Sequence, residues 1–165
     1  MFNPTEISEI QKLLTAEKKI VIVTHYNPDG DAIGSSLGLK HFLKAKGLDA
    51  TVIVPNDFPK FLKWMPESKQ IIIADYKRKQ AGEALYNADV IFILDFNASH
   101  RSGNLVGPWL EKAKAKKILI DHHQQPDDFH YVYSDVKIPA TSQMIYHFIQ
   151  ELNEEAKEVL GVSVQ

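Results

Sequence analysis

Seven imidazole and carboxylate side chains stand in three short runs of this sequence. The first run is His25-Tyr26-Asn27-Pro28-Asp29-Gly30-Asp31, the second is Asp95 alone, and the third is Asp121-His122-His123. Four carboxylates and three imidazoles gathered within a few ångströms repel one another if the acids stay ionised and unpaired, so a cation belongs between them. Imidazole plus carboxylate, without sulfur, suits a borderline-to-hard divalent ion such as manganese, magnesium, iron, cobalt or zinc. The donors outnumber what one tetrahedral ion needs. A two-metal centre, with one aspartate shared between ions ~3.5–4 Å apart, uses them economically, activates water and clamps the oxygens of a phosphoryl group. Taken singly, each run has a plainer explanation: a strand-end Asp caps a helix, and Asn-Pro-Asp-Gly forms a turn. The coincidence of all three is what points to a metal.

That coincidence depends on the elements that carry the runs. Ile20-Val21-Ile22-Val23 is a short, continuous, β-branched stretch, the mark of a strand buried on both faces of a parallel sheet. It leads into the first run. Val90 to Leu94 leads into Asp95, and Lys117 to Ile120 into Asp121. Further strands are expected at 50–54 and 71–73, with an edge strand at 131–133. Helices are expected at 5–16 with Thr5 as N-cap, at 31–46 stopped by Gly47, at 57–65, 78–87 and 106–115, at 141–150 capped by Thr141 or Ser142, and at 154–160. Lys112, Lys114, Lys116 and Lys117 fall around the C-terminal end of the 106–115 helix, where they suit its dipole. Strands and helices alternate at βαβ spacing. The expected fold is α/β: a doubly wound, mostly parallel β-sheet flanked by helices. In such sheets ligands bind beyond the carboxyl ends of the strands, which is where all three runs lie. Arg101, six residues after Asp95, is a candidate to fork onto a phosphate. Ser142 is a candidate anion contact at a helix start. A solvated loop arginine and an ordinary N-cap explain these two residues equally well.

Composition narrows the field. The chain has 165 residues, 44% hydrophobic and 24% charged, which is ordinary for one globular domain. No apolar run approaches the ~18–20 residues that span a bilayer, and the first residues show no signal-peptide pattern. Without cysteine there are neither disulfides nor thiolate metal sites. A formal charge of −2 argues against a broad footprint for duplex DNA and leaves room for a small anion held through a metal. The expected location is cytoplasmic, with no membrane partner.

At these residues the sequence resembles the DHH family of phosphoesterases. The resemblance lies in VTHYNPDGDAIGSSLGL at 23–39, ILDFN at 93–97 with Arg101 after it, LIDHHQQP at 119–126, and more weakly IPATSQMIYHF at 138–148. Within the family it is most similar to the subgroup of short-oligoribonucleotide exonucleases and 3′-phosphoadenosine 5′-phosphate phosphatases. The resemblance implies two manganese ions, with Mg2+ or Co2+ as substitutes. His25 and Asp29 would bind one, and Asp31 and His122 the other, with Asp95 bridging both. His123 would lie near the scissile phosphate, and Asp121 would orient a histidine ligand from behind. The implied activity is metal-assisted phosphoester hydrolysis of short single-stranded RNA or small nucleotides, and a homodimer is compatible with it. The family's fourth motif is an aspartate beyond the helix that follows Asp121-His122-His123, and no aspartate follows Asp135. The family's glycine-rich substrate-binding segment also has no counterpart in residues 1–165. The expectation is therefore a DHH domain without the fourth motif or the C-terminal domain, and with a second metal site short of one ligand. Two alternatives stand beside this reading: a regulatory module that binds metal or nucleotide without turnover, and an inorganic pyrophosphatase on the same scaffold.

Overall fold

A computed structural model describes residues 2–159, with side chains through Asn153. Six strands form one sheet: β1 (Ile20–Val23), β2 (Ala50–Val54), β3 (Ile72–Ile73), β4 (Val90–Leu94), β5 (Lys116–Asp121) and β6 (Tyr131–Ser134). Their order is β3-β2-β1-β4-β5-β6, and every neighbouring pair is parallel. The chain winds outward from β1 in one direction, returns, and winds outward from β4 in the other. The topological switch point therefore lies between β1 and β4, where open α/β sheets bind ligands.

Five α-helices cover the sheet: α1 (Pro4–Leu13), α2 (Gly30–Ala45), α3 (Arg78–Asn87), α4 (Gly103–Lys112) and α5 (Thr141–Val159). The period of two along each strand splits the core into two layers. Ile20, Ile22, Phe92, Leu94, Ile118 and Ile120 face α1, α2 and α5 through Ile7, Ile10, Ile33, Leu37, Met144 and Phe148. Val21, Val23, Ile91, Ile93 and Leu119 face α3 and α4 through Ala81, Leu85, Val106 and Leu110. With both faces covered, β1 and β4 carry apolar side chains at every position, all of them buried.

Register does the positioning. Val23 pairs with Ile93, so two residues further on His25 is carried against Asp95. Leu94 pairs with Ile120, which carries Asp95 against Asp121. The Asp95 amide still donates to the Ile120 carbonyl at 3.2 Å.

Several expectations are corrected. Asn3, not Thr5, caps α1: its side chain accepts from the amides of Thr5 and Glu6, and Pro4 occupies the first helical turn. The 57–65 stretch is not an α-helix but holds a 3-10 turn at Lys60–Leu62, with a second at Ser68–Gln70. α4 begins and ends earlier than expected, so Lys116 and Lys117 belong to β5 rather than to a helix terminus. The helices expected at 141–150 and 154–160 are one continuous α5, and Leu160 lies outside the described residues. No described helix is long and apolar enough to cross a membrane.

Candidate metal centre

Asp95 lies at the centre of the site. It follows β4 directly, is 2% exposed, and holds φ at +66°. A buried non-glycine residue in the left-handed region costs of order 1–3 kcal/mol, and such outliers cluster at functional sites. The conformation turns its carboxylate across the sheet edge, where the two oxygens face different partners. Oδ2 lies 3.3 Å from His25 Nε2, and Oδ1 lies 3.4 Å from His122 Nε2. Each imidazole has a second carboxylate on its far side. Asp29 Oδ1 is 3.9 Å from His25 Nε2, and Asp31 Oδ2 is 3.7 Å from His122 Nε2. Two imidazole–carboxylate groups thus share Asp95.

The first group is aimed by its backbone. His25 Nδ1 meets the Tyr26 carbonyl at 2.7 Å. With that carbonyl accepting, Nδ1 is the nitrogen that keeps its proton, so Nε2, which faces Asp95, is the one that must give up its proton to ligate a metal. Asp29 is also the N-cap of α2 and accepts from the Ala32 amide at 3.0 Å, which fixes its carboxylate at the helix start. One donor atom each from His25, Asp29 and Asp95 lies within 4.8 Å of the others, and the same holds for Asp95, His122 and His123. These donor sets, all nitrogen and oxygen, fit a borderline-to-hard divalent ion.

The second group is tied to α5. The Asp31 carboxylate accepts from the Ser142 amide at 2.8 Å, the Ser142 hydroxyl at 2.6 Å and the Thr141 amide at 2.9 Å. It therefore caps a helix 110 residues away in sequence. The Thr141 hydroxyl, wholly buried, donates to Asp95 Oδ1 at 3.0 Å. So neither hydroxyl caps its own helix, and Ser142 offers its donors to a carboxylate rather than to an anion from solution. The sequence offers Thr141 only as a cap, and nothing in its neighbourhood marks it as a partner of Asp95.

The electrostatics follow from these contacts. Burial pushes the Asp95 carboxyl above the ordinary aspartate range. Hydrogen bonds from His25 and Thr141 oppose this, and the charge of Asp31 adds to it. Burial alone would lower His25, but the bond to Asp95 and the Tyr26 carbonyl outweigh it and hold the imidazole above its ordinary value. Burial alone would raise Asp31, but its bonds to Ser142 and Thr141 hold it below the usual range. A buried acid whose pKa is raised beside a second acid whose pKa is lowered is a site that favours added positive charge.

Asp121 is fully buried and grips its neighbour twice. Its Oδ1 lies 2.5 Å from His123 Nδ1, and its Oδ2 accepts from the His123 amide at 3.0 Å. The histidine that it orients is thus His123, the one expected near the phosphate, rather than a histidine expected to bind metal. The His122 and His123 rings lie 4.4 Å apart, and one ring nitrogen of His123 belongs to the same cluster. Arg101 stands exposed on a 3-10 turn, Ser99–Ser102, and its carbonyl accepts from the Tyr26 amide at 2.8 Å. The first loop is also pinned to the loop after β2 by a reciprocal pair, Asn27 and Asn56, at 2.7 Å in both directions.

Known proteins resemble this chain to different degrees. A crystal structure of an exopolyphosphatase-related protein from Bacteroides fragilis superposes with a TM-score of 0.87 at 42% identity, over 91% of this chain and 44% of that one. Exonuclease RecJ bound to manganese superposes at 0.58 with 17% identity, over 99% of this chain and 39% of that one, a likeness of fold alone. Among curated proteins, the bifunctional oligoribonuclease and PAP phosphatase NrnA of Thermus thermophilus is 34% identical over 150 residues, covering 90% of this chain and 41% of that protein. The cyclic-di-AMP phosphodiesterase PdeA of Listeria monocytogenes is 22% identical over 145 residues, covering 82% of this chain and 22% of that protein. The chain spans less than half the length of these relatives. The profile of the DHH family, N-terminal domain, matches residues 19–163. That span holds all three runs, both imidazole–carboxylate groups and every strand of the sheet, and the chain belongs to the DHH family.

Proposed function

We propose that this chain carries a divalent-metal phosphoester hydrolase centre, with manganese as the first-choice ion and short oligoribonucleotides or small phosphorylated nucleotides as substrates. The observation that supports it most strongly is the two-sided environment of Asp95, with one oxygen toward His25 and Asp29 and the other toward His122 and Asp31. His25, Asp29 and Asp95 would hold one ion, and Asp31, His122 and Asp95 the other. When bound, such a pair supplies an activated water and neutralises charge on the phosphoryl oxygens. The substrate class follows the Thermus relative, an oligoribonuclease and PAP phosphatase by name.

The remaining work falls to the chain's own side chains. His123, held at Nδ1 by buried Asp121, presents Nε2 to a phosphoryl oxygen and to the leaving group. Asp121 fixes its ring and favours its charged form during the transfer. Arg101 reaches from the neighbouring loop to the outer oxygens of the phosphate. The test is direct. Purified chain with MnCl2 is incubated with adenosine 3′,5′-bisphosphate and with a diadenylate, and released phosphate and AMP are measured. Turnover of either substrate that disappears in Asp95→Ala supports the assignment. Metal binding without turnover of either nucleotide overturns it, even if pyrophosphate is hydrolysed.

One observation favours a second reading. The carboxylate of Asp31 is committed to three donors at the start of α5. If that commitment persists with metal present, only the His25 group fills, and the domain is a binding module without turnover. Metal stoichiometry separates the two readings: two ions per chain for the hydrolase, one for the module.

A further inference from the structure

We propose that the cleft beside His25 is a nucleobase subsite, with Tyr26 as its stacking surface and Asp75 as its hydrogen-bond acceptor. The proposal rests on the nucleotide-hydrolase reading for its ligand class, though not for its test. The cleft has a volume of about 500 Å3 and is lined by Tyr26, Pro55, Asp75, His100, Asn104 and Leu105, among others. That is within the ~300–1,000 Å3 of small-molecule sites. Its walls come from the loops after β1, β2, β3 and β4, on the carboxyl edge of the sheet that also carries the metal centre.

Tyr26 is built for this position. It is 49% exposed, an unusual fate for an aromatic ring whose main chain is fastened on both sides. Its amide donates to the Arg101 carbonyl at 2.8 Å, and its own carbonyl holds His25 Nδ1 at 2.7 Å. The same residue therefore aims a metal-binding imidazole and walls the cleft. Its ring lies on Gly103, where an added Cβ would stand 3.0 Å from the ring's Cδ2. Gly103 also has φ at +88°, so two independent constraints keep a side chain out from beneath the tyrosine. A ring positioned in advance stacks a base with little further ordering. Single-stranded RNA recognition relies on such aromatic platforms.

Charge selects which end of a nucleotide enters. Neither Lys nor Arg is among the residues lining the cleft, while Asp75 supplies an exposed carboxylate. A phosphate is repelled there and drawn to the metal centre, which leaves the neutral base for the cleft. A carboxylate only accepts hydrogen bonds, whereas the Asn104 amide both donates and accepts. The exocyclic amino groups of adenine, guanine and cytosine suit Asp75. Uracil has no amino group and offers a carboxylate only its single ring N3–H, so the subsite favours amino-bearing bases.

The test needs no metal and no turnover. Saturation-transfer NMR is recorded on the full chain in EDTA with adenosine, cytidine, uridine and ribose 5-phosphate. Adenosine is expected to receive saturation at its base protons and to bind more tightly than uridine. Tyr26→Ala is expected to weaken it about 10-fold, the scale of one aromatic–base stack. Asp75→Asn is expected to remove the preference for adenosine over uridine. Both side chains are exposed, so an unchanged melting temperature establishes that the variants are folded. Absence of transfer to base protons, equal affinity in Tyr26→Ala, or ribose 5-phosphate binding as well as adenosine overturns the proposal. The two readings fail separately. Tyr26-dependent adenosine binding with no phosphoester hydrolysis keeps the subsite and sinks the hydrolase. Hydrolysis of a diadenylate with unchanged KM in Tyr26→Ala does the reverse.

Discussion

Replacing Asp95 with asparagine changes one atom type and little shape, and its effect on stability is expected to reverse when metal is added. The carboxylate is buried, sits in the left-handed region, and feels the charge of Asp31. Because its folded pKa is raised, the native state binds its proton more tightly than the unfolded chain. Its contribution is therefore favourable at acid pH and is lost as pH rises through the folded value. Once ionised, the group opposes folding. Asparagine removes the charge, keeps an oxygen for the Thr141 hydroxyl, and tolerates the same backbone. Relieving a destabilised functional site of this kind is worth about 1 kcal/mol. For a chain of this size that corresponds to a Tm about 2–4 °C above wild type in EDTA. Metal reverses the order. An ion at 100 times its Kd stabilises the wild type by ~2.7 kcal/mol, a rise of about 5–10 °C, while Asp95→Asn has lost the shared ligand and gains little. Scanning calorimetry at pH 8, in EDTA and then in saturating MnCl2, reads both halves. A variant that melts below wild type in EDTA, or manganese raising both proteins equally, would show that Asp95 is neither a strained acid nor a shared ligand.

The buried hydroxyl of Thr141 donates to that same carboxylate, so Thr141→Val should cost about 1–3 kcal/mol in urea denaturation at pH 8, the penalty of an unmet buried acceptor. Asp121→Asn leaves the manganese ligands in place but loosens His123; kcat should fall about 10–100-fold with little change in manganese affinity. Metal binding needs His25 without its proton, and Asp95 holds that imidazole above its ordinary value of about 6.5. Manganese affinity should therefore rise with pH through and above that value. Calorimetry in two buffers of different ionisation enthalpy should show proton release, and a pH-independent affinity would contradict the assignment.

The parts of the fold legible in the sequence were those set by local chemistry. Ile20–Val23 and Val90–Leu94 are too apolar and too short for anything but buried strands, and both strands have the bounds expected from the sequence. The convergence of His25, Asp95 and His122 followed because parallel strands put their carboxyl ends on one edge, and the register then fixed who faces whom. Pro4 was a usable sign that Asn3 caps α1, since proline favours the first helical turn. What could not be read was long-range. Asp31 accepts from residues 110 and 111 positions away, and no local pattern announces that pairing. The left-handed backbone of Asp95 is imposed by its surroundings rather than by its neighbours in sequence. Lys60 to Met65 has helical spacing, but Pro59 and Pro66 bracket it and leave room only for a 3-10 turn.

If Asp95 serves two metal ions while His123 serves the substrate, their variants must differ in what they lose. Manganese bound at equilibrium, measured by dialysis alongside turnover of a diadenylate, tests it in Asp95→Ala and His123→Ala. Asp95→Ala is expected to lose both metal and turnover, whereas His123→Ala keeps its manganese and loses turnover. Equal loss of manganese in the two variants would place His123 among the metal ligands and rule out this division of roles.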